Sequence, residues 1–254
     1  MSVTQKKITF KNLNGEGISN AATSKKYAAI VVAHPAGGVK EQTSGIYANK
    51  VAAGGFVTLA YDASCQAAVD YMTTLACVDK DKIGILGVCA SGGYTVNAAI
   101  NDRRIKAVGT VSAVSIGFMY RAGWNGNQSG IVDQVLQVGA QARTDEANGQ
   151  DITYLASGQA QCPFQIYRSI SQLATYDAFH QAKEFLTQPI LMIAGEDAGT
   201  KFYSEELIET IKSSNKNASN YFVKGSNHFD MYDKPKFVDE AVSKFIPFYQ
   251  EFLE

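Results

Sequence analysis

Apolar residues in this chain fall into two patterns, and the two alternate. Short unbroken apolar runs read as strands buried on both faces, and apolar residues three and four apart read as helices. Tyr27–His34, Phe56–Tyr61, Lys82–Leu86, Ile105–Val111, Pro189–Ala194 and Ala218–Val223 are of the first kind. Glu41–Ala53 (Ile46, Tyr47 and Val51 on one face), Gln66–Leu75 (Ala68, Val69, Met72, Leu75), Tyr94–Ile100, Ser204–Ser213 and Lys234–Leu253 are of the second. Strands alternating with helices predict an α/β fold, a mostly parallel sheet with helices on both faces.

Two stretches break the pattern. Lys6–Asn12 alternates weakly, as an edge strand would, and Leu13–Lys26, rich in Asn, Gly, Ser and Thr, reads as loop. From Ser112 to Lys183 no clear strand is visible. Val132, Val135, Leu136, Val138 and Ala142 suggest one helix, and Leu173–Phe185 another. So long a connection without structure is unusual. The expectation is one domain over residues 1–254, with a helical cap inserted at about 112–185.

Composition narrows the function. At 254 residues and net charge −1, nothing favours nucleic acid or an anionic membrane as partner. No run is long enough to span a bilayer and the N-terminus lacks the apolar core of a signal peptide, so a cytoplasmic location is expected. Cys65, Cys77, Cys89 and Cys162 have neither C-x-x-C nor zinc-ligand spacing, which predicts reduced thiols and no metal. A homodimer is compatible with this composition.

The candidate chemistry centres on Gly87-Val88-Cys89-Ala90-Ser91-Gly92-Gly93, between a predicted strand and a predicted helix. A reactive side chain at the apex of such a turn needs small neighbours so that strand and helix can approach. Beside the first free N–H groups of a helix, the Cys89 thiol should have a lowered pKa and label faster than the other cysteines. The bland alternative is a buried structural cysteine. Ser91, two residues past the apex, should face helix packing. Of three histidines, His228 lies in a strand-end loop (Gly225–Asp230) and is the candidate base. His180 reads as solvated or packed, and His34 as ordering its loop. The orienting carboxylate is expected from Glu196-Asp197, straight after a strand, with Asp197 favoured over Glu196. The order Cys89, Asp197, His228 is that of α/β-hydrolases. Oxyanion donors are expected from the N–H of Ala90 and from Ala36 or Gly37. Within the cap, Tyr120 and Trp124 are candidate substrate contacts, and Arg121 a surface residue or a carboxylate binder.

On His34–Gly38, Gly87–Gly93, Ala194–Asp197 and Asn227–Asp233, the chain resembles the α/β-hydrolase superfamily, in its dienelactone-hydrolase-like branch. The resemblance implies hydrolysis of a small ester, lactone or thioester through an acyl-cysteine, without cofactor. It also shows departures. The branch's glutamate after the first core strand is replaced by His34-Pro35-Ala36, and nearby Glu41 is not assigned its role. The segments after Asn14 and after Gln66 are short. The family's acid often stands one place further from the glycine than Asp197. Acyl transfer on the same triad, and ligand binding or thiol sensing on a hydrolase scaffold, are the competing functions.

Overall fold

The structure, a computed structural model, describes Lys6 and residues 25–62, 64–155 and 165–254. The first half alternates as its apolar pattern requires: β1 (Tyr27–Ala33), α1 (Thr43–Ala53), β2 (Val57–Tyr61), α2 (Cys65–Thr74), β3 (Val78–Val88), α3 (Ala90–Asn101) and β4 (Ile105–Val111). Next come α4 (Ile116–Ala122), α5 (Val132–Ala147), the two-residue strands β5 (Tyr154–Leu155) and β6 (Gln165–Ile166), and the short helices α6 (Ile170–Thr175) and α7 (Ala182–Phe185). The alternation then resumes with β7 (Ile190–Gly195), α8 (Lys201–Ile211), β8 (Ala218–Val223), α9 (Asp230–Asp233) and α10 (Pro235–Leu253).

Six strands form one sheet in the order β2-β1-β3-β4-β7-β8, and every pairing is parallel. Side chains alternate across it. Ile30, Val32, Leu86, Val88, Val111 and Ile193 face α1 and α10, while Val31, Ile83, Ile85, Val108 and Met192 face α2, α3 and α8. Both faces are covered, so the strands read as continuous apolar runs. The order reverses between β1 and β3. At such a switch point the loops leaving neighbouring strands diverge and open a crevice at the strands' carboxyl ends.

Several sequence expectations shift. β3 starts at Val78, four residues early, because Val78 pairs with Tyr27 although Asp79–Lys82 are polar. α3 starts at once after β3 rather than at Tyr94. The single helix expected over Leu173–Phe185 is two. α6 stops at Thr175, where Arg121 donates to the carbonyls of Ala174 (2.6 Å) and Tyr176 (3.0 Å), and α7 follows Gln181 at φ 61°. Arg121 is therefore committed to the end of α6. The hairpin β5–β6, antiparallel, was not visible in the pattern. The edge strand expected at Lys6–Asn12 and most of the loop before Lys26 lie outside the described residues.

α10 packs close to the sheet because glycines lie beneath it. A Cβ on Gly109 would stand 2.4 Å from the hydroxyl of buried Tyr249, which donates to the Ile85 carbonyl at 2.7 Å. Gly109→Ala should therefore force α10 outward and cost about 1–3 kcal/mol. Urea unfolding checks this, and an unchanged midpoint would show that α10 yields freely.

Candidate active site

A single residue joins β3 to α3. Cys89 takes φ 57°, ψ −122°, a conformation that costs a side-chain-bearing residue of order 1–3 kcal/mol. Its N–H donates to Val111 O (2.9 Å), and its carbonyl accepts from the N–H groups of Gly92 (2.8 Å) and Val114 (2.9 Å). Its neighbours are small from necessity. A Cβ on Gly87 would lie 2.2 Å from Ser91 O, one on Gly92 2.6 Å from Ala113 Cβ, and one on Gly93 2.5 Å from Val114 O. Ser91 is buried, and its hydroxyl donates to His34 O (2.5 Å), tying the turn to the loop after β1.

The Cys89 thiol is only 9% exposed. Burial raises its pKa above the ordinary thiol value, while the neighbouring Tyr232 hydroxyl and the backbone at Ala90 and Ala36 favour the thiolate and pull it down. Burial prevails, so the lowered pKa expected at a helix N-terminus is not found in the closed site, and fast labelling is not expected there. Cys65 is likewise buried and bonded to the Tyr61 hydroxyl (2.7 Å), Cys77 is half-buried, and Cys162 lies outside the described residues.

The backbone groups that lower the pKa of the Cys89 thiol are those of Ala90 and Ala36. Gly37 sits at φ 74° in the turn that Gly38 closes by donating to Pro35 O (2.9 Å). His34 orders this loop. Its Nδ1 lies 2.8 Å from Pro35 O and its Nε2 3.9 Å from Asp62. Glu41 is exposed and pairs with Lys40 (3.2 Å).

His228 is carried by a braced turn after β8. Asn227 Oδ1 accepts from the N–H groups of Phe229 (2.9 Å) and Asp230 (3.0 Å), and Asp230 Oδ2 accepts from Asn227 N–H (3.0 Å). The ring is buried, and its two nitrogens have one partner each: Nδ1 lies 2.5 Å from Thr200 Oγ1, and Nε2 lies 3.0 Å from the Tyr232 hydroxyl. Desolvation lowers its pKa from the ordinary 6.5 to about 4, so the ring is neutral near pH 7. Trp124 meets it edge-on at 4.7 Å and stacks on Phe229 at 5.8 Å.

The expected acid does not reach this ring. Glu196 and Asp197 are both exposed, and among the described contacts neither carboxylate bonds to His228. The backbone explains it. A Cβ on Gly195 would lie 2.3 Å from Ser226 O, and Asp197 N–H donates to that carbonyl (3.0 Å). The side chain that meets Nδ1 is that of Thr200, three residues past Asp197. The structure thus brings together Cys89, Ala36, Ala90, His228 and Trp124. Tyr120 is half-buried on the apolar cluster that includes Cys89, and exposed His180 stands apart.

Three site residues were not singled out from sequence: Thr200, Tyr232 and Phe229. Tyr232 stands four residues after His228, a spacing that stacks side chains on a helical turn. Phe229 adjoins the histidine in sequence. Thr200 gives no comparable signal, since a hydroxyl before α8 reads as a helix cap. Among the described residues, no three His, Cys, Asp or Glu side chains converge as metal ligands, and no helix is long and apolar enough to cross a membrane.

No family model matches the chain. The uncharacterized protein YcjY of Escherichia coli (strain K12) is 39% identical over 304 aligned positions, covering 97% of this chain and 99% of YcjY. With 254 residues here against 304 positions, at least fifty of those positions are insertions in YcjY. Protein PA2218 of Pseudomonas aeruginosa is 29% identical over 91% of this chain and 77% of its own. Its crystal structure superposes with a TM-score of 0.78 over 96% of this chain and 87% of that one, at 27% identity. The α/β hydrolase GrgF from Penicillium sp. sh18 shares the fold at 14% identity, with a TM-score of 0.73 over 91% of this chain and 92% of its own. A six-stranded parallel sheet with that likeness shows the α/β-hydrolase fold, and a relative 39% identical and matched almost end to end places this chain in the same family as YcjY.

Proposed function

We propose that this protein is a hydrolase of small activated acyl compounds (esters, lactones or thioesters) that works through an acyl-cysteine on Cys89. One observation carries the reading: Cys89 stands at the apex of a strained strand-to-helix turn, beside the backbone of Ala90 and Ala36, both of which favour its thiolate. Attack by sulfur on a carbonyl generates an oxyanion close by, and two fixed N–H dipoles stabilise that charge without reorganisation. His228 takes the thiol proton and returns it to the leaving group. A water activated by the same ring then releases the acyl group. Trp124 and Phe229 provide an apolar wall beside the ring. These side chains and backbone groups complete the chemistry without a cofactor.

The partner of the imidazole sets the substrate class. Thr200 orients the ring but brings no negative charge, so the imidazolium formed on proton uptake is not paired with a carboxylate. A cysteine tolerates this better than a serine, because a thiol ionises far more easily than a hydroxyl. The site therefore suits acyl groups with good leaving groups rather than amides. The cysteine nucleophile and the Asn227–Asp233 segment support placement in the dienelactone-hydrolase-like branch. Glu41, paired with Lys40 on the surface, does not supply that branch's glutamate.

Three tests follow from the geometry. With a p-nitrophenyl acyl ester, Cys89→Ala should abolish turnover and the acyl mass on the Cys89 peptide after a rapid quench, while Ser91→Ala should keep at least about a tenth of the activity. Full activity in Cys89→Ala would remove the reading.

His228→Asn should lower kcat by about 10³-fold. It should also change the acid response. Because the folded pKa lies below the unfolded one, the unfolded chain binds the extra proton, and stability rises with pH through the window from about 4 to 6.5. About 3 kcal/mol present near neutrality is lost as pH falls to about 4, and denaturation across that range should show a smaller loss in the variant.

Thr200→Val should lower kcat/KM by about tenfold or more, and Asp197→Asn should leave it within twofold, or about 0.4 kcal/mol. The opposite ranking would restore the carboxylate to the ring.

A further inference from the structure

No described hydrogen bond joins Cys89 to His228 directly. Between them stands the hydroxyl of Tyr232, 3.0 Å from His228 Nε2 and near enough to the Cys89 sulfur that the two groups shift each other's pKa. We infer that Tyr232 is a catalytic residue whose hydroxyl carries the proton between the Cys89 sulfur and the imidazole. The inference rests on Cys89 being the nucleophile.

The donors and acceptors of this row can be assigned without conflict. The thiol S–H donates to the phenol oxygen, the phenol O–H donates to Nε2, and Nδ1–H donates to Thr200 Oγ1. In the transfer, the S–H bond breaks as a new O–H bond forms on Tyr232, while the original O–H bond breaks as an N–H bond forms on His228. The products are a thiolate, a neutral phenol and an imidazolium. Reversal of the same two shifts returns a proton toward the sulfur side for the leaving group. Tyr232 gains one proton as it loses another and is never charged. This keeps the phenol neutral, as the burial that pushes its pKa far above the ordinary value requires.

The position of the hydroxyl is fixed by packing. The Tyr232 ring lies 5.5 Å from both the Phe229 and the His228 rings, and Met231 beside it is anchored by the Tyr47 hydroxyl, which donates to its carbonyl at 2.8 Å. Cys89, Tyr232 and His228 are all buried, so bulk water does not offer a parallel route.

Single-turnover acylation with a p-nitrophenyl ester tests this. Tyr232→Phe, which keeps the ring, should slow acylation by about 10²-fold with KM within twofold, and should raise the pH at which iodoacetamide alkylates Cys89 at half its maximal rate. An acylation rate within threefold of wild type, or above it, would overturn the relay and make Tyr232 a passive contact or a latch. The unsubstituted protein gives a second reading that needs no variant. Two protons in flight predict a curved dependence of the acylation rate on the deuterium fraction of the solvent, and a straight line overturns the relay. Persistent turnover in Cys89→Ala would mark failure of the acyl-cysteine reading itself, whereas loss of turnover there with a straight-line isotope plot marks failure of the relay alone.

Discussion

The backbone of Cys89 is the constraint from which the site follows. A positive φ on a residue with a side chain is unfavourable, and this one is held by hydrogen bonds at both its ends, to Val111, Gly92 and Val114. Those bonds exist only because β3 and β4 are adjacent and parallel, which places Val111–Val114 beside the turn. The same turn sets Cys89 beside the loop after β1, where the backbone of Ala36 favours its thiolate. Ser91 completes the arrangement by bonding His34 O. Sheet order, strained turn and paired N–H groups are thus one structure, and each fails without the others.

Within that frame the site is assembled from groups that are neutral near pH 7: a thiol, a phenol, an imidazole and a hydroxyl. Burying a formal ion pair here would carry a desolvation penalty that its attraction need not recover. A row of neutral hydrogen-bonding groups, each with a partner, avoids most of that cost. The lowered pKa of His228 and the raised pKa of Cys89 have the same cause, removal of water by Trp124, Phe229 and the surrounding core. The resting site is accordingly poised without charge. Charge arises during the reaction, where the fixed N–H dipoles of Ala36 and Ala90 are aimed.

What the sequence made legible was local. Both-face burial turns strands into apolar runs, so the six parallel strands could be read from Ala28–Ala33, Ile83–Leu86 or Ile190–Ala194 without any knowledge of pairing. The Gly87–Gly93 turn could be read from its run of small residues, although only Gly87 answers to a nearby clash, with Ser91, while Gly92 and Gly93 answer to Ala113 and Val114 on the far side of β4. The partners of the His228 ring could not. Which group meets Nδ1 depends on how the chain after β7 leaves the sheet, and that is decided by its contact with the Ser226 backbone, some thirty residues away. Asp197 was the reasonable expectation from residue type and chain order. Thr200 won because four residues, 196–199, separate the strand end from the side chain that meets the ring. The break of the helix at Tyr176 was hidden in the same way, since Arg121 lies more than fifty residues before it.

The shortness of the chain beside YcjY bears on how much of this site the fold requires. At least fifty aligned positions have no residue here, yet the sheet keeps six strands, every neighbouring pair parallel. Surface connections can be shortened at modest entropic cost, whereas a strand slip would turn a whole apolar face outward. Elements fixed by register, namely the turn at Cys89 and the loop at Ala36, are therefore the durable part of the site. The partners of His228 hang on loops after β7 and β8 and are freer to change. A ring oriented by a hydroxyl instead of a carboxylate is the kind of difference that such loops permit, and a thiol nucleophile, less dependent on a strong base, is the chemistry that tolerates it.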